Sequence, residues 1–198
     1  MVAESPKLST EAGQGALIAS AARAKTEDAL GPDVRPLWAT VNICDTQRSP
    51  NALGVRTSVP GNGSNQRIFA RYTAQWWSSA KQEWQTVGGS GITDWVPLGN
   101  ADMTSRQAGW TFHFVQPPAG KTYVMRGAVE LQWRGFVKRA HRSHKGRRAH
   151  NSARRAARKP QRLRIAVVRK RTLLTATGMK HVEGGDPVGL SKAMCLIW

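Results

Sequence analysis

The sequence predicts an all-β domain, an antiparallel β-sandwich or barrel. Beyond residue 36, apolar and polar residues alternate in short segments rich in Val, Ile, Trp, Tyr and Phe, which is typical of strands with one buried face. Turn sequences separate these segments about every 8–12 residues, a spacing found in sandwiches and barrels. The 40% hydrophobic content and the eight tryptophans are enough for a packed core.

Eight segments fit the strand pattern. In chain order they are WATVNICDT, LGVRTSV, RIFARYTAQWW, QEWQTV, GWTFHFV, TYVMRGAVELQW, LRIAVVRKR and KAMCLIW. The separators carry turn chemistry in SPN (49–51), PGNG (60–63), GGSG (88–91) and PPAG (117–120).

The alternation in the longer segments indicates which side chains face the core. One face of the sixth segment carries Tyr123, Met125, Gly127, Val129, Leu131 and Trp133. The third segment places Ile68, Ala70, Tyr72, Ala74 and Trp76 on one face, and the fifth does so with Trp110, Phe112 and Phe114. Strands with such large residues on one side predict a core between two layers.

The alternating pattern divides the chain into a leader and one domain. Residues 1–36 are predicted to be a flexible or partly helical leader, or the remnant of a targeting segment. Ala22–Arg23–Ala24 has the form of a signal-peptidase site, but the apolar stretch at 15–19 is too short for a signal peptide. Residues 37–198 are predicted to form the β-sandwich domain. No apolar run of about 20 residues predicts a membrane span.

The net charge of +18 is concentrated in one part of the chain. Of the 30 Lys and Arg residues, 16 lie between positions 134 and 171, where there is no Asp or Glu. The remaining sequence is close to neutral, with 14 basic and 12 acidic residues. Residues 137–162 are therefore predicted to be a basic, low-complexity loop inserted between two strands.

Such a loop attracts polyanions by electrostatics. The candidate polyanion-binding residues are Lys138, Arg139, Arg142, Lys145, Arg147, Arg148, Arg154, Arg155, Arg158, Lys159 and Arg162. No zinc-finger, helix-turn-helix, KH or RNP motif accompanies them, so sequence-specific recognition is not expected. A solvated loop without a dedicated partner is the alternative. His141, His144 and His150 lie among cations, which disfavours a metal site there.

Two glycine-rich segments were compared with catalytic motifs, and neither matches. GGSG lacks the second glycine of a nucleophile elbow, and GNGSNQ lacks the third glycine of a dinucleotide-binding turn. His113 is expected to point outward from its strand. The sequence thus predicts a non-enzymatic domain with no catalytic residue, cofactor or metal.

Trp77 and Trp84 form a candidate aromatic binding surface. Because Trp76 is expected to face inward, its neighbour Trp77 must face outward. Exposed aromatic rings can stack on sugars or contact a protein partner. Cross-strand packing of Trp77 on Trp84 is the alternative.

The two cysteines, Cys44 and Cys195, allow two interpretations. They are too far apart in sequence for a C-x-x-C metal or redox motif. They either form one disulfide that closes a very long loop or remain two separate thiols.

The strand pattern resembles the immunoglobulin-like sandwich in two segments. PPAGKTYVMRG is similar to the corner before strand F, where Tyr123 takes the place of the corner tyrosine, and AQWWS is similar to the tryptophan-bearing strand C, with Trp76 inside. The usual cysteine pair between strands B and F is absent. The resemblance implies that the first and last strands are neighbours, so a Cys44–Cys195 disulfide would fix both ends of the domain.

The segments VNICD, PNALGVRTSVPGNG, AQWWS, RQAGWTF and A-x-C-x-I also resemble a group of short secreted bacterial proteins with no assigned activity, over about residues 37–198. The resemblance implies export but carries over no activity. The chain departs from the group in its poor signal sequence and its basic insert.

The sequence is consistent with three functions. The first is a secreted or cell-surface binding module whose cationic loop contacts an anionic partner, such as a cell-wall polymer, nucleic acid or an acidic surface, or an unknown protein. The second is a cytoplasmic protein that binds nucleic-acid phosphates non-specifically through the same loop. The third is a glycan-binding or glycan-active sandwich protein.

Overall fold

The computed structural model describes residues 5–9, 37–138 and 163–198, and within these ranges the chain is all-β, as predicted. Nine strands are present in this part of the chain. They are β1 (Trp38–Cys44), β2 (Ala52–Val59), β3 (Arg67–Ser78), β4 (Glu83–Thr86), β5 (Val96–Asn100), β6 (Arg106–His113), β7 (Tyr123–Lys138), β8 (Leu163–Leu174) and β9 (Cys195–Ile197).

The strands form two antiparallel sheets. The small sheet has the order β1-β2-β6, and the large sheet has the order β4-β3-β7-β8. Two further strands extend the large sheet, because β5 pairs with β3 and β9 pairs with β7. All pairings between named strands are antiparallel, so the prediction of two antiparallel layers is confirmed.

The core lies between the two sheets and uses the faces that the alternation predicts. The inward side chains of β3 are at most 5% exposed, and they are Ile68, Ala70, Tyr72, Ala74 and Trp76. The inward side chains of β7 are also buried, and they are Tyr123, Met125, Val129, Leu131 and Trp133. Phe112 and Phe114 are buried against them, and Trp110 packs at the margin. Burial of these aromatic and aliphatic groups is the main contribution to stability.

Gly127 allows the sheets to approach closely at the centre of β7. A Cβ atom at this position would lie 2.5 Å from Cγ2 of Val55 on β2 and 3.0 Å from Cγ2 of Thr175. The Thr175 hydroxyl accepts a hydrogen bond from the Gly127 N–H at 3.1 Å. The missing side chain therefore leaves the space that Val55 fills.

β5 (Val96–Asn100) is a strand that the sequence pattern does not predict. Its sequence, VPLGN, contains a proline and a glycine, which weaken a strand pattern. It is an edge strand that pairs only with the first four residues of β3, and the register shifts between Ile68 and Phe69. Pro97 is tolerated beside this irregularity, as expected for a proline at an edge or bulge.

The outer face of the small sheet is covered by the chain between β8 and β9. Thr40 donates a hydrogen bond to the Ala176 carbonyl at 2.7 Å, and Asn42 donates to the Gly184 carbonyl at 2.8 Å. β2 is consequently buried along its whole length.

Arg56 on β2 is a charged side chain buried beneath this covering chain. Its side chain is 6% exposed and forms an ion pair with Glu183 at 2.9 Å. This pairing satisfies a charge that would be costly to bury alone.

The predicted disulfide between Cys44 and Cys195 is confirmed. Their Cα atoms lie 5.4 Å apart, and 151 positions separate them in sequence. Cys44 ends β1 of the small sheet, and Cys195 begins β9 of the large sheet. The bond therefore joins the two sheets as well as the two ends of the domain.

Residues 5–9, the part of the predicted leader that the structure describes, lie against the end of β6. Leu8 forms an antiparallel bridge with Phe114, and the Val115 N–H donates a hydrogen bond to the Lys7 carbonyl at 2.8 Å. Leu8 also packs on the core. The other residues of the predicted 1–36 leader lie outside the described ranges. Within those ranges, no helix has the length and apolar character to cross a membrane.

Candidate functional site

The ends of β7 and β8 extend the large sheet beyond β3. β3 pairs with β7 as far as Arg67 opposite Arg134, whereas β7 and β8 remain paired as far as Lys138 opposite Leu163. Residues 134–138 and 163–167 together form the β7–β8 ribbon. The ribbon is built by the long β-rich segments on either side of the basic sequence.

The predicted polyanion-binding segment starts and ends at the tip of this ribbon. Lys138, its first residue, is the last residue of β7. The other candidates lie outside the described residues, and they are Arg139, Arg142, Lys145, Arg147, Arg148, Arg154, Arg155, Arg158, Lys159 and Arg162. Because Lys138 pairs with Leu163, the chain enters and leaves the segment at adjacent positions.

β8 itself adds positive charge to this end of the molecule. Its sequence, LRIAVVRKRTLL, holds Arg164, Arg169, Lys170 and Arg171 and no acidic residue. It is the last strand of its sheet, and most of its side chains are exposed. Arg169 lies over the ring of Trp133 at 4.8 Å.

Four exposed apolar side chains on the ribbon are a feature that the sequence analysis missed. They are Phe136, Leu163, Ile165 and Val167. A signal for Phe136 was present, because it continues the even-numbered, outward series of β7 that contains Gln132 and Arg134. The apolar run of β8 gave no such signal, since it is equally consistent with a buried strand.

Trp77 and Trp84 lie opposite each other on β3 and β4, as the cross-strand alternative requires. Their rings meet edge to face, with centroids 5.6 Å apart. The guanidinium of Arg126 on β7 stacks on Trp84 at 4.1 Å from the ring centroid. Both rings are half-buried in contacts within the protein, and a role in ligand binding stays a prediction.

Arg126 is held in place by a hydrogen bond as well as by its contact with Trp84. Its Nε donates a hydrogen bond to Gln75 at 2.8 Å, and partial burial lowers the pKa of its guanidinium from the ordinary value. The group stays charged because an arginine pKa is very high. Its contact with Trp84 is therefore a cation–π interaction.

A second set of such contacts lies further along the outer face of the large sheet. Arg134 stacks on Phe69 at 4.0 Å and lies 5.3 Å from the ring of Trp95. Arg71 lies over Trp95 at 4.9 Å and forms an ion pair with Glu130 at 2.7 Å. Aromatic rings and guanidinium groups thus alternate from the β3–β4 turn to the base of the ribbon.

Arg126→Gln is expected to lower the free energy of unfolding by about 1 kcal/mol, because it removes the stacking on Trp84. Urea unfolding monitored by tryptophan fluorescence measures the change. The matched control is Arg126→Lys, which keeps the charge without the planar group and should retain part of the stability. Equal stability of Arg126→Gln and the unaltered protein would show that the stacking of Arg126 on Trp84 does not stabilise the domain.

A cleft of about 1050 Å³ lies between residues 5–9 and the loop that follows β4. Side chains from both sheets and the N-terminal segment line it, including Lys7, Trp76, Gln85, Ser90, Trp110 and His113. His113 is only half-exposed here. Among the described residues, the lining contains no acidic side chain, and no group of three or more His, Cys, Asp or Glu residues could hold a metal ion. His141, His144 and His150 lie outside the described residues.

Comparison of the chain with protein-family models, with curated proteins and with solved structures gives no match.

Proposed function

We propose that this chain is a non-enzymatic, exported or cell-surface module with an immunoglobulin-like sandwich, which binds an anionic polymer through the cationic segment carried by the β7–β8 ribbon. The observation that carries the proposal is the pairing of Lys138 with Leu163 at the ribbon tip. It confines both ends of a segment rich in Lys and Arg to one end of an otherwise near-neutral domain.

Electrostatics supports a partner that is a polyanion. A concentrated patch of positive charge releases counterions from a phosphate or sulfate polymer on binding, and the affinity then falls steeply with salt. Contact of about six cations with phosphates gives a slope of about −5 for the logarithm of the affinity against the logarithm of salt concentration. The cations of β8 add to the same end of the molecule.

The Cys44–Cys195 disulfide supports export. Structural disulfides persist in oxidising compartments and are rare in the cytosol. The resemblance to short secreted bacterial proteins agrees with this location. The alternative of a cytoplasmic nucleic-acid-binding protein shares the cations but requires the two cysteines to persist as thiols.

The immunoglobulin-like topology is supported by two residues in addition to the two antiparallel sheets. Trp76 is buried on β3, and Tyr123 is buried at the start of β7, directly after the PPAG turn. Burial at these positions agrees with the proposed roles of strand C tryptophan and corner tyrosine.

Deletion of residues 139–162, with an Asn-Gly turn joining the ribbon strands, is expected to abolish retention on a heparin column at moderate salt. The domain should remain folded, because Asn-Gly suits a two-residue hairpin turn. A matched control keeps the length of the segment and replaces its Lys and Arg residues by Gln. It should behave like the deletion if charge is the cause, and equal retention of all three proteins would refute the proposal.

Mass spectrometry of the natively expressed protein without reductant distinguishes an exported protein from a cytoplasmic one. A mature chain two hydrogens lighter than the dithiol form is expected for an exported protein. Free thiols in that chain would favour the cytoplasmic alternative.

A further inference from the structure

The outer face of the β7–β8 ribbon carries a contiguous apolar patch. Phe136 is 70% exposed and Ile165 is 67% exposed, and they lie directly opposite each other. Leu163 is 58% exposed and Val167 is 41% exposed, on either side of Ile165 at alternate positions of β8. Opposite and alternate positions share a face of a sheet. Four large apolar side chains therefore project together into solvent.

The patch lies on the part of the large sheet that extends beyond β3. β7 continues for four residues beyond Arg134, the last residue that pairs with β3. At about 3.3 Å per residue, this extension is about 13 Å long. Apolar groups that dock on a membrane enter about 5–10 Å into the boundary between headgroups and acyl chains. The ribbon is long enough for that depth.

The groups beside the patch are cationic. Arg134 lies at its base on the same face, and Lys170 follows on that face of β8. Arg164 projects from the opposite face of the strand, between Leu163 and Ile165 in sequence. No Asp or Glu occurs between positions 134 and 171. The surface thus combines large apolar side chains with positive charge alone.

This combination favours a lipid surface over a soluble polyanion. A sulfated or phosphorylated polymer would neutralise the cations but would leave the apolar side chains in water. A membrane of anionic lipids accepts both, because its phosphates attract Lys and Arg while the acyl boundary takes up apolar area. A second copy of this chain would bring two cationic ribbons together, which like-charge repulsion disfavours.

We infer that the tip of the β7–β8 ribbon docks on an anionic lipid surface. Phe136, Leu163, Ile165 and Val167 enter the boundary below the headgroups, and Arg134 and Lys170 contact lipid phosphates. The inference goes beyond the proposed function, because it concerns the described residues of the ribbon and names a lipid surface as the partner of that patch.

The test is co-sedimentation with vesicles of equal parts phosphatidylglycerol and phosphatidylcholine. The unaltered protein is expected to sediment with these vesicles and much less with vesicles of phosphatidylcholine alone. The variant Phe136→Ser with Ile165→Ser is expected to bind the anionic vesicles about tenfold more weakly or worse, because two anchoring side chains are lost. Its retention on heparin should be unchanged.

A matched control makes the same kind of change away from the ribbon. Val115 and Val188 are 51% and 97% exposed, and replacing both by Ser should leave vesicle binding unaltered. Thermal unfolding of each variant checks that the domain is folded. Equal vesicle binding by the ribbon variant and the unaltered protein overturns the inference.

The other outcomes separate the two proposals. Heparin retention without binding to anionic vesicles overturns the lipid inference and leaves the proposed function standing. Vesicle binding that depends on Phe136, without heparin retention, overturns the proposed function and leaves the lipid inference standing. Equal binding to neutral vesicles overturns the anionic selectivity. Sedimentation velocity that shows a dimer for the unaltered protein and a monomer for the ribbon variant assigns the patch to a second copy and overturns the inference.

Discussion

Replacing Cys44 and Cys195 together by alanine is expected to lower the free energy of unfolding by about 4–5 kcal/mol. The bond joins residues 151 positions apart, so its loss releases nearly the whole domain as an unconstrained chain in the unfolded state. The chain-entropy cost of closing a loop grows with its length, which places this disulfide near the upper end of the usual range. The unfolding temperature should fall by about 10–20 °C.

The native structure adds a second reason for a large effect. Cys195 begins β9, which has only three residues and pairs with the first residues of β7. Without the bond to β1, the short strand keeps its pairing with β7, the burial of Ile197 and a hydrogen bond from the Trp198 N–H to Asp45 at 3.2 Å. Loss of the disulfide should therefore release the C-terminal strand before the rest of the domain unfolds.

Urea unfolding with and without reductant measures the effect. The unaltered protein should lose stability on reduction, whereas the double alanine variant should be indifferent to reductant. Hydrogen exchange of residues 195–197 should accelerate in the variant before exchange in β3 does. Coincident unfolding curves for oxidised and reduced unaltered protein would rule out a stabilising role for the bond.

The parts of the fold that were predictable are those set by local alternation. The inward faces of β3 and β7 follow the period of two, since each strand has one face on the core. β5 was missed because its proline and glycine are tolerated only through an edge position and a register shift, which depend on β3. The burial of β2 on both faces could not be predicted from local alternation either, because the covering chain between β8 and β9 lies more than 100 residues away in sequence.

The candidate site was predictable in its charge but not in its contacts. The concentration of Lys and Arg can be read directly from composition. The stacking of Arg126 on Trp84 needs the registers of β7 on β3 and of β3 on β4 at once. Ile165 can be predicted to be exposed only if β8 is known to be an edge strand that extends beyond β3. Sequence periodicity carries neither piece of information.

Gly127→Ala is expected to lower the free energy of unfolding by about 2–3 kcal/mol. Elsewhere in a strand, replacing glycine by alanine tends to stabilise, because alanine loses less backbone entropy on folding. Here the new Cβ would lie 2.5 Å from a methyl of Val55, which is fully buried and cannot turn away. Either the two sheets move apart or Val55 leaves its rotamer, and both cost packing across the core.

A double-mutant cycle with Val55→Ala identifies the cause. Val55→Ala alone should destabilise the domain by leaving a cavity, but in the double variant the methyl that Gly127→Ala introduces fills part of that space. The two changes together should therefore cost at least about 1 kcal/mol less than the sum of the single changes. Gly88→Ala is the matched control, since a Cβ there has nothing within 4 Å and the change should be nearly neutral. Additive losses in the cycle would show that Gly127 is required for some reason other than contact with Val55.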